Sequence, residues 1–264
     1  MKRRRNYQYD AEMKICRSRK PRVLFKYRSL AANSEWVESI LVRNTLYFPN
    51  ASKVNDPFDC KVPRVDHFEA GFLREVLDAK RKSGAILSAL EDDVLSGDAG
   101  KVYALVEEWE NNVRKAGFLS LCETQDDLVM WSHYADGHKG ICLEFSLDHW
   151  PGANISVLPV TYSLSRMKLS LTPKAWGTGG IAAVIFLSKF YGWRYEKEWR
   201  FVDPWCSGDH EFPPECLTGV VFGCNIAEAV ETRVREWIGA GRCEPRLYRA
   251  KLKGLEFGLE IVPA

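Results

Sequence analysis

Residues Phe118 to Phe145 read FLSLCETQDDLVMWSHYADGHKGICLEF, and the fold turns on how this stretch is parsed. Phe118-Leu119-Ser120-Leu121-Cys122 is an apolar run of strand length. Thr124 followed three residues later by Asp127 has the spacing of a capping box, with Asp in place of the usual Glu or Gln. Leu128, Trp131 and Ala135 then recur at helical spacing, and Gly137 suits the end of that helix because it tolerates the left-handed conformation. Ile141, Leu143 and Phe145 alternate with Cys142, Glu144 and Ser146, as in a strand. Two strands thus bracket a segment holding Asp126, Asp127, Trp131, His133, Tyr134, Asp136, His138 and Lys139. Polar and aromatic groups gathered between core strands mark either a site or a surface turn whose Trp and Tyr pack inward.

Upstream, Val23 to Arg28 predicts the first strand, and a helix follows from Ser29 through Glu35, Trp36 and Ile40. Leu46-Tyr47-Phe48 is a second short strand, ended by Pro49 and Asn50. Asn55-Asp56-Pro57-Phe58-Asp59 is a turn, since Pro57 donates no backbone hydrogen bond and biases Asp56 away from helix. From about residue 66 to 115, Phe72, Val76, Leu87, Leu90, Leu105 and Trp109 belong to amphipathic helical patterns, so two or three helices are inserted between strands. Downstream, Val157 to Ser163 reads as a strand that Pro159 places at an edge or a bend. Leu169 to Gly180 reads as loop, and Ile181 to Phe190 as an apolar helix. Tyr195 to Val202 alternates as a strand, with Glu196, Glu198 and Arg200 on one face. Gly219 to Phe222 is a strand. Asn225 with Glu228 caps a helix to about Ile238, and Leu247 to Ala250 and Leu255 to Ile261 are terminal strands. The sum is an α+β fold: a mixed, largely antiparallel sheet with flanking helices and a helical insertion at about 66–115.

The 264 residues are 46% hydrophobic and 27% charged, as in ordinary globular proteins. The domain reading is a basic, partly disordered arm over residues 1–22 and one α+β domain over 23–264. The arm holds Lys2-Arg3-Arg4-Arg5 and is either solvated or in contact with nucleic acid or a phosphate. No apolar run is long enough to span a bilayer and no signal peptide is seen, so the expectation is a cytoplasmic protein that does not engage a membrane. The 8 Cys include no CxxC pair, and His133 and His138 lack the i, i+4 spacing of a helical metal pair, so no metal is expected. The net charge of +2 implies no global field for nucleic acid.

Three constellations carry chemistry. Glu196 and Glu198 on one strand face repel, which raises the pKa of one, and they suit a ribose hydroxyl or a developing positive sugar. Arg200 beside them holds that geometry or binds phosphate. Lys26 and Arg28 share a face, with Tyr27 opposite and Ser29 next, which suits a phosphate or pyrophosphate. His133 is a candidate for hydrogen bonding or acid–base work. Each has a plain alternative: a solvent-facing Glu–Arg ladder, an exposed edge strand, a surface histidine. For Asn55 and Asp56 that alternative is turn formation, against ligand binding.

The succession KYRS, NDPFDC, LCETQDDLVMWSHYADGHKGICLEF, VTY and YEKEWRFV resembles bacterial domain-of-unknown-function family two-nine-seven-one, from about Leu24 to about Gly223. That family carries no assigned activity; its members look like accessory or defence-associated proteins, which implies a toxin or phage-defence effector. A remoter resemblance is to ADP-ribosyltransferases, through Arg28 on an early strand and Glu196-x-Glu198 on a late one. The middle motif departs from that pattern, since VTYSLS at Val160 to Ser165 lacks a clean Ser-Thr-Ser. This resemblance implies NAD as substrate. Glu198 would then stabilise the ribosyl cation, Lys26 and Arg28 hold the pyrophosphate, Tyr27 or Trp131 stack on nicotinamide, and His133 or Tyr134 orient the ribose. The expected catalytic set is Glu198, Glu196, His133 and Tyr134. The expected nucleotide-binding set is Lys26, Tyr27, Arg28, Ser29, Asn55, Asp56, Trp131 and Arg200. Two other readings stand beside it: a nuclease or RNA-binding module using the basic arm, and a non-enzymatic domain that captures a protein partner through the helices at 66–115.

Overall fold

The computed structural model describes residues 20–31, 34–61, 65–68, 78, 111, 115–151, 157–171, 184–203 and 205–264. The strands in chain order are β1 (Val23–Arg28), β2 (Thr45–Phe48), β3 (Val65–Phe68), β4 (Gly117–Cys122), β5 (Ile141–Ser146), β6 (Val157–Pro159) and β7 (Thr161–Ser163). They continue with β8 (Leu169–Leu171), β9 (Ser188–Phe190), β10 (Glu198–Asp203), β11 (Gly208–Glu211), β12 (Leu217–Phe222), β13 (Arg246–Leu252) and β14 (Leu259–Pro263). Three helices bear on the argument: α1 (Ser34–Arg43), α2 (Leu128–Tyr134) and α3 (Glu228–Ala240).

The expected α+β architecture is present. Eight strands form one sheet in the order β14-β13-β12-β5-β1-β4-β10-β6. Within it β12 and β13 run parallel and every other neighbouring pair is antiparallel. Period-two alternation divides the side chains between two faces. Leu143 and Phe145 of β5 join Val37, Ile40 and Leu41 of α1 and Val234 of α3 in one core. Phe25, Tyr27, Cys142 and Val221 face the other way and pack with Met130 and Trp131 of α2.

The feature that positions the site is a split in this sheet. β1 pairs with β5 along its whole length, from Val23 opposite Ser146 to Arg28 opposite Ile141. With β4 it shares a single register pair, Phe25 opposite Cys122. Beyond that pair Lys26, Tyr27 and Arg28 have no partners on β4, and a gap that they line together with Phe118, Ser120 and Leu121 opens between two half-sheets. β10 continues the second half by pairing with β4 from Glu198 opposite Cys122 to Asp203 opposite Gly117. The loop after β2, residues 49–60, covers the gap.

Several local expectations are corrected. The first helix starts at Ser34, not Ser29. Asp127 is itself the cap of α2, its carboxylate accepting from the Val129 and Met130 N–H groups, and α2 ends at Tyr134 before Gly137 takes φ +59°. At α3 the cap position is Ala227, and Asn225 instead donates to the Gly137 carbonyl. The Val157–Ser163 strand breaks at Val160, so that β6 closes the edge of the large sheet and β7 pairs with β9. Part of the expected loop, Leu169–Leu171, is strand β8 beside β3. Part of the expected apolar helix, Ser188–Phe190, is strand β9. The last strand begins at Leu259, and Leu255 and Phe257 are fully exposed before it. The basic arm up to residue 19, nearly all of the helical insertion and the Gly177–Gly180 loop lie outside the described residues.

Candidate active site

The gap between β1 and β4 is a cavity of about 350 Å³. One wall is β1, which contributes Lys26, Tyr27 and Arg28; the other is built by Ser120, Glu196, Glu198 and Arg200, with Lys189, Asn55 and Tyr134 at its margins. Gly140 fixes where Arg28 runs, because a Cβ there would sit 2.1 Å from the Arg28 carbonyl oxygen.

Glu196 and Glu198 do not share a strand face. Glu196 ends a 3-10 turn (Tyr191–Glu196), Lys197 adopts a left-handed conformation at φ +43°, and only Glu198 begins β10. The two carboxylates nevertheless converge on one cation. Lys189 Nζ donates to Glu196 Oε2 at 2.5 Å and to Glu198 Oε2 at 3.0 Å, and lies 3.8 Å from Asp59. Lys189 stands on β9, where it pairs with Tyr162, whose hydroxyl accepts from the Glu198 N–H.

Arg200 is 1% exposed and fully committed. Nε and Nη2 donate to the two oxygens of Glu198 at 2.7 and 3.0 Å. Nη1 and Nη2 donate to the two oxygens of Asp59 at 2.9 and 2.6 Å, and Nη1 donates also to the Phe186 carbonyl at 2.8 Å. These contacts use all five guanidinium donors, so the expected phosphate-binding role for Arg200 is replaced by a structural one.

The environments push the two glutamates apart. Burial alone would raise Glu198, but Arg200 and Lys189, with hydrogen bonds from Arg200 and Ser120, outweigh it and hold the pKa at about 2. Burial raises Glu196 above the ordinary carboxylate range; Lys189 and the Tyr134 hydroxyl, 2.5 Å from Oε1, only partly oppose this, and Glu198 adds to it. Two carboxyl groups side by side thus have pKa values displaced in opposite directions.

The β1 cations are in a different position. Lys26 is buried, its Nζ donating across the gap to the Ser120 carbonyl at 2.7 Å. Burial and then Arg28 push its pKa well down, against the pull of Glu198. Arg28 keeps some solvent contact, yet its Nε is shut off from water without a hydrogen-bond partner, and burial pulls its pKa down to about 10. Among the described residues no carboxylate lies within ion-pairing distance of either. Counting Lys53, five cations (Lys26, Arg28, Lys53, Lys189, Arg200) and three carboxylates (Asp59, Glu196, Glu198) line the cavity, an excess of two positive charges.

Of the sequence-predicted site residues, Lys26, Tyr27, Arg28, Asn55, Tyr134, Glu196, Glu198 and Arg200 meet at this cavity. His133, Ser29, Asp56 and Trp131 do not. His133 is exposed on the far side of α2, its ring nitrogen 3.1 Å from the Tyr195 hydroxyl. Ser29 Oγ accepts from the Ala31 N–H. Asp56 accepts from the Phe58 N–H, which is turn formation, and from Trp193 Nε1, and it lines the neighbouring cavity instead. Trp131 is fully buried, edge-on to Tyr27, with its indole N–H donating to the Gln125 carbonyl. Sequence reasoning missed Lys189, Asp59 and Ser120. Asp59 lay in view inside NDPFDC; Lys189 was hidden inside an apolar run read as helix.

A second cavity of about 490 Å³ adjoins the first, sharing Asn55 and Lys189 and lined by Phe58, Phe190 and Trp193. No helix among the described residues is long and apolar enough to cross a membrane.

No curated protein and no solved structure matches the chain. Residues 130–201 match the model of a family described as "Protein of unknown function (DUF2971)". That segment carries most of α2 together with Lys189, Glu196, Glu198 and Arg200.

Proposed function

We propose that the split between the half-sheets binds a nucleotide and that the protein is an ADP-ribosyltransferase-like enzyme that consumes NAD. One juxtaposition carries this reading. Two cations without carboxylate partners among the described residues, Lys26 and Arg28, line the same cavity as a carboxylate pair with separated pKa values. The cations take the pyrophosphate, and the carboxylates face the ribose. The two adjoining cavities, at about 350 and 490 Å³, each fall in the size range of small-molecule sites. The apolar one, with Phe58 and Trp193, takes a flat heteroaromatic ring.

In the reaction, the bond between ribose C1′ and the nicotinamide nitrogen breaks, and its electron pair leaves with neutral nicotinamide. Ionised Glu198 opposes the positive charge that develops on the ribose. An acceptor oxygen or nitrogen, from water or from a target group, bonds to C1′ and gives its proton to Glu196. A pKa raised by burial makes Glu196 a stronger base than an ordinary carboxylate, which suits it to receive that proton. Tyr134 positions Glu196 through its hydroxyl.

The test is release of nicotinamide from NAD by purified protein, alongside thermal shifts with NAD and ADP-ribose. Wild type should release nicotinamide. Glu196→Gln, which keeps an acceptor for Tyr134, should slow the reaction by about 10²-fold or more at unchanged NAD affinity. Nicotinamide release at the wild-type rate from folded Glu196→Gln and Glu198→Gln proteins would end this reading.

A further inference from the structure

Away from the cleft, the turn between β10 and β11 brings together three groups that no part of the proposed reaction uses. Asp203 ends β10, and its Oδ1 accepts from the Trp205 and Cys206 N–H groups at 2.8 and 3.3 Å. That Asx turn leaves Oδ2 directed at Cys206 Sγ, 3.6 Å away. His210 comes from β11, which pairs with β2 in a register that sets His210 opposite Leu46. Its ring lies on Phe48, with centroids 4.1 Å apart. Its Nδ1 is 3.8 Å from Asp203 Oδ2, and its Nε2 is 3.9 Å from Cys206 Sγ.

We propose that Asp203, Cys206 and His210 form a binding site for a thiophilic divalent cation of the zinc class. The 3.8 Å between Asp203 Oδ2 and His210 Nδ1 is too long for a hydrogen bond, and the contacts to Cys206 Sγ are weak sulfur ones. An ion takes one of the two ring nitrogens, and with one ligand atom from each residue the three lie within 4.8 Å of one another. Bonds of about 2.0–2.3 Å at tetrahedral angles put neighbouring ligand atoms roughly 3.3–3.6 Å apart. Rotation of the exposed Cys206 side chain and of the partly exposed His210 ring closes the difference. The donor set of one thiolate, one imidazole and one carboxylate selects zinc or cobalt over magnesium or calcium, which favour oxygen throughout. Two of the ligands are already oriented, Asp203 by its turn and His210 by stacking and strand pairing, which is what outer contacts do for metal ligands. Cys206 is exposed and the other two side chains are 26% and 21% exposed, so the ion can enter and its fourth position faces water. The ligands fall within eight consecutive residues, so the site depends on one turn and one strand pairing.

The experiment uses the full chain, stripped with chelator and dialysed against Zn²⁺, with metal content and competition against a chromogenic chelator as readouts. Co²⁺ is the second probe, because a cobalt–thiolate bond gives a charge-transfer band in the near ultraviolet. Wild type should retain about one Zn²⁺ per chain and show the band. Cys206→Ser should abolish the band, and His210→Ala should weaken zinc binding by roughly 10-fold or more, with circular dichroism unchanged in both. Magnesium should not compete. Wild-type protein that keeps no zinc overturns the proposal. So does a cobalt band that survives Cys206→Ser, since another cysteine then supplies the thiolate, or zinc affinity indifferent to His210→Ala. None of these readouts depends on NAD, so this proposal and the cleft reaction stand or fall separately.

Discussion

Arg200 and Arg28 are guanidinium groups on the two walls of one cleft, and their surroundings are opposite. Arg200 sits at the centre of a closed lattice of charge: two bidentate carboxylates, a carbonyl, and Lys189 across Glu198. Arg28 has lost part of its hydration and has no carboxylate partner among the described residues. A protein interior does not leave a cation in that state without cost. The first arrangement holds one half-sheet together; the second, in the proposed reading, receives the negative charge of the ligand. The same residue type, on strands separated by β4, is thus saturated with partners in one half of the sheet and assigned to recognition only by that proposal in the other.

The comparison breaks most readily at Arg200. Arg200→Met leaves Asp59 and Glu198 buried without their main partner, and should cost about 3–5 kcal/mol in urea denaturation. A loss below about 1 kcal/mol would mean that Lys189 alone neutralises the cluster and that the lattice is not structural. Next comes the acid limb of stability. Glu198 falls from its ordinary 4.5 to about 2 in the fold, so the stability it contributes is full above 4.5 and disappears as pH drops through that window. Glu196, raised in the fold, works the other way and lowers stability as pH rises past the ordinary carboxylate value. Glu198→Gln should therefore flatten the decline in thermal midpoint between pH about 4.5 and 2; an unchanged decline would place the acid sensitivity elsewhere. The smallest stability effect is expected at Arg28. Arg28→Met should leave the urea midpoint unchanged or slightly raised while weakening ADP-ribose binding about 10-fold or more, which is about 1.4 kcal/mol of affinity. A marked loss of stability with intact binding would reverse the roles assigned to the two arginines.

How much of this was legible in the sequence depends on the range of the forces concerned. Alternation along β5 and short apolar runs along β1, β4 and β12 identified those strands, because burial of a strand is written in a window of a few residues. The same rule failed at Tyr195–Lys197. There the alternation was present, yet the chain turns through a left-handed Lys197, and no residue in YEKEW announces that conformation. It failed again at Ser188–Phe190, where an apolar run favoured helix and pairing with β7 drew the segment into a strand. Glu196 and Glu198 were found together for the wrong local reason: they meet because Lys189, seven and nine residues away, stands between them. Trp131 and His133 looked like site residues through composition, and the helix rotation sent one into the core and the other into solvent.

By itself, then, the sequence determined the α+β class, the central strand–helix–strand segment, the family signature and the two residue groups, Lys26-Arg28 and Glu196-Glu198-Arg200, that face the cleft. Those follow from periodicity and residue chemistry within short windows. Only the tertiary structure decided that β1 and β4 part after one paired residue, that Asp59 and Lys189 complete the charge lattice, and that Arg28 rather than Arg200 has no carboxylate partner among the described residues. The reason is physical: partners for a buried charge are chosen by contacts between segments far apart in the chain, and strand register and splay are set by the packing of both faces at once.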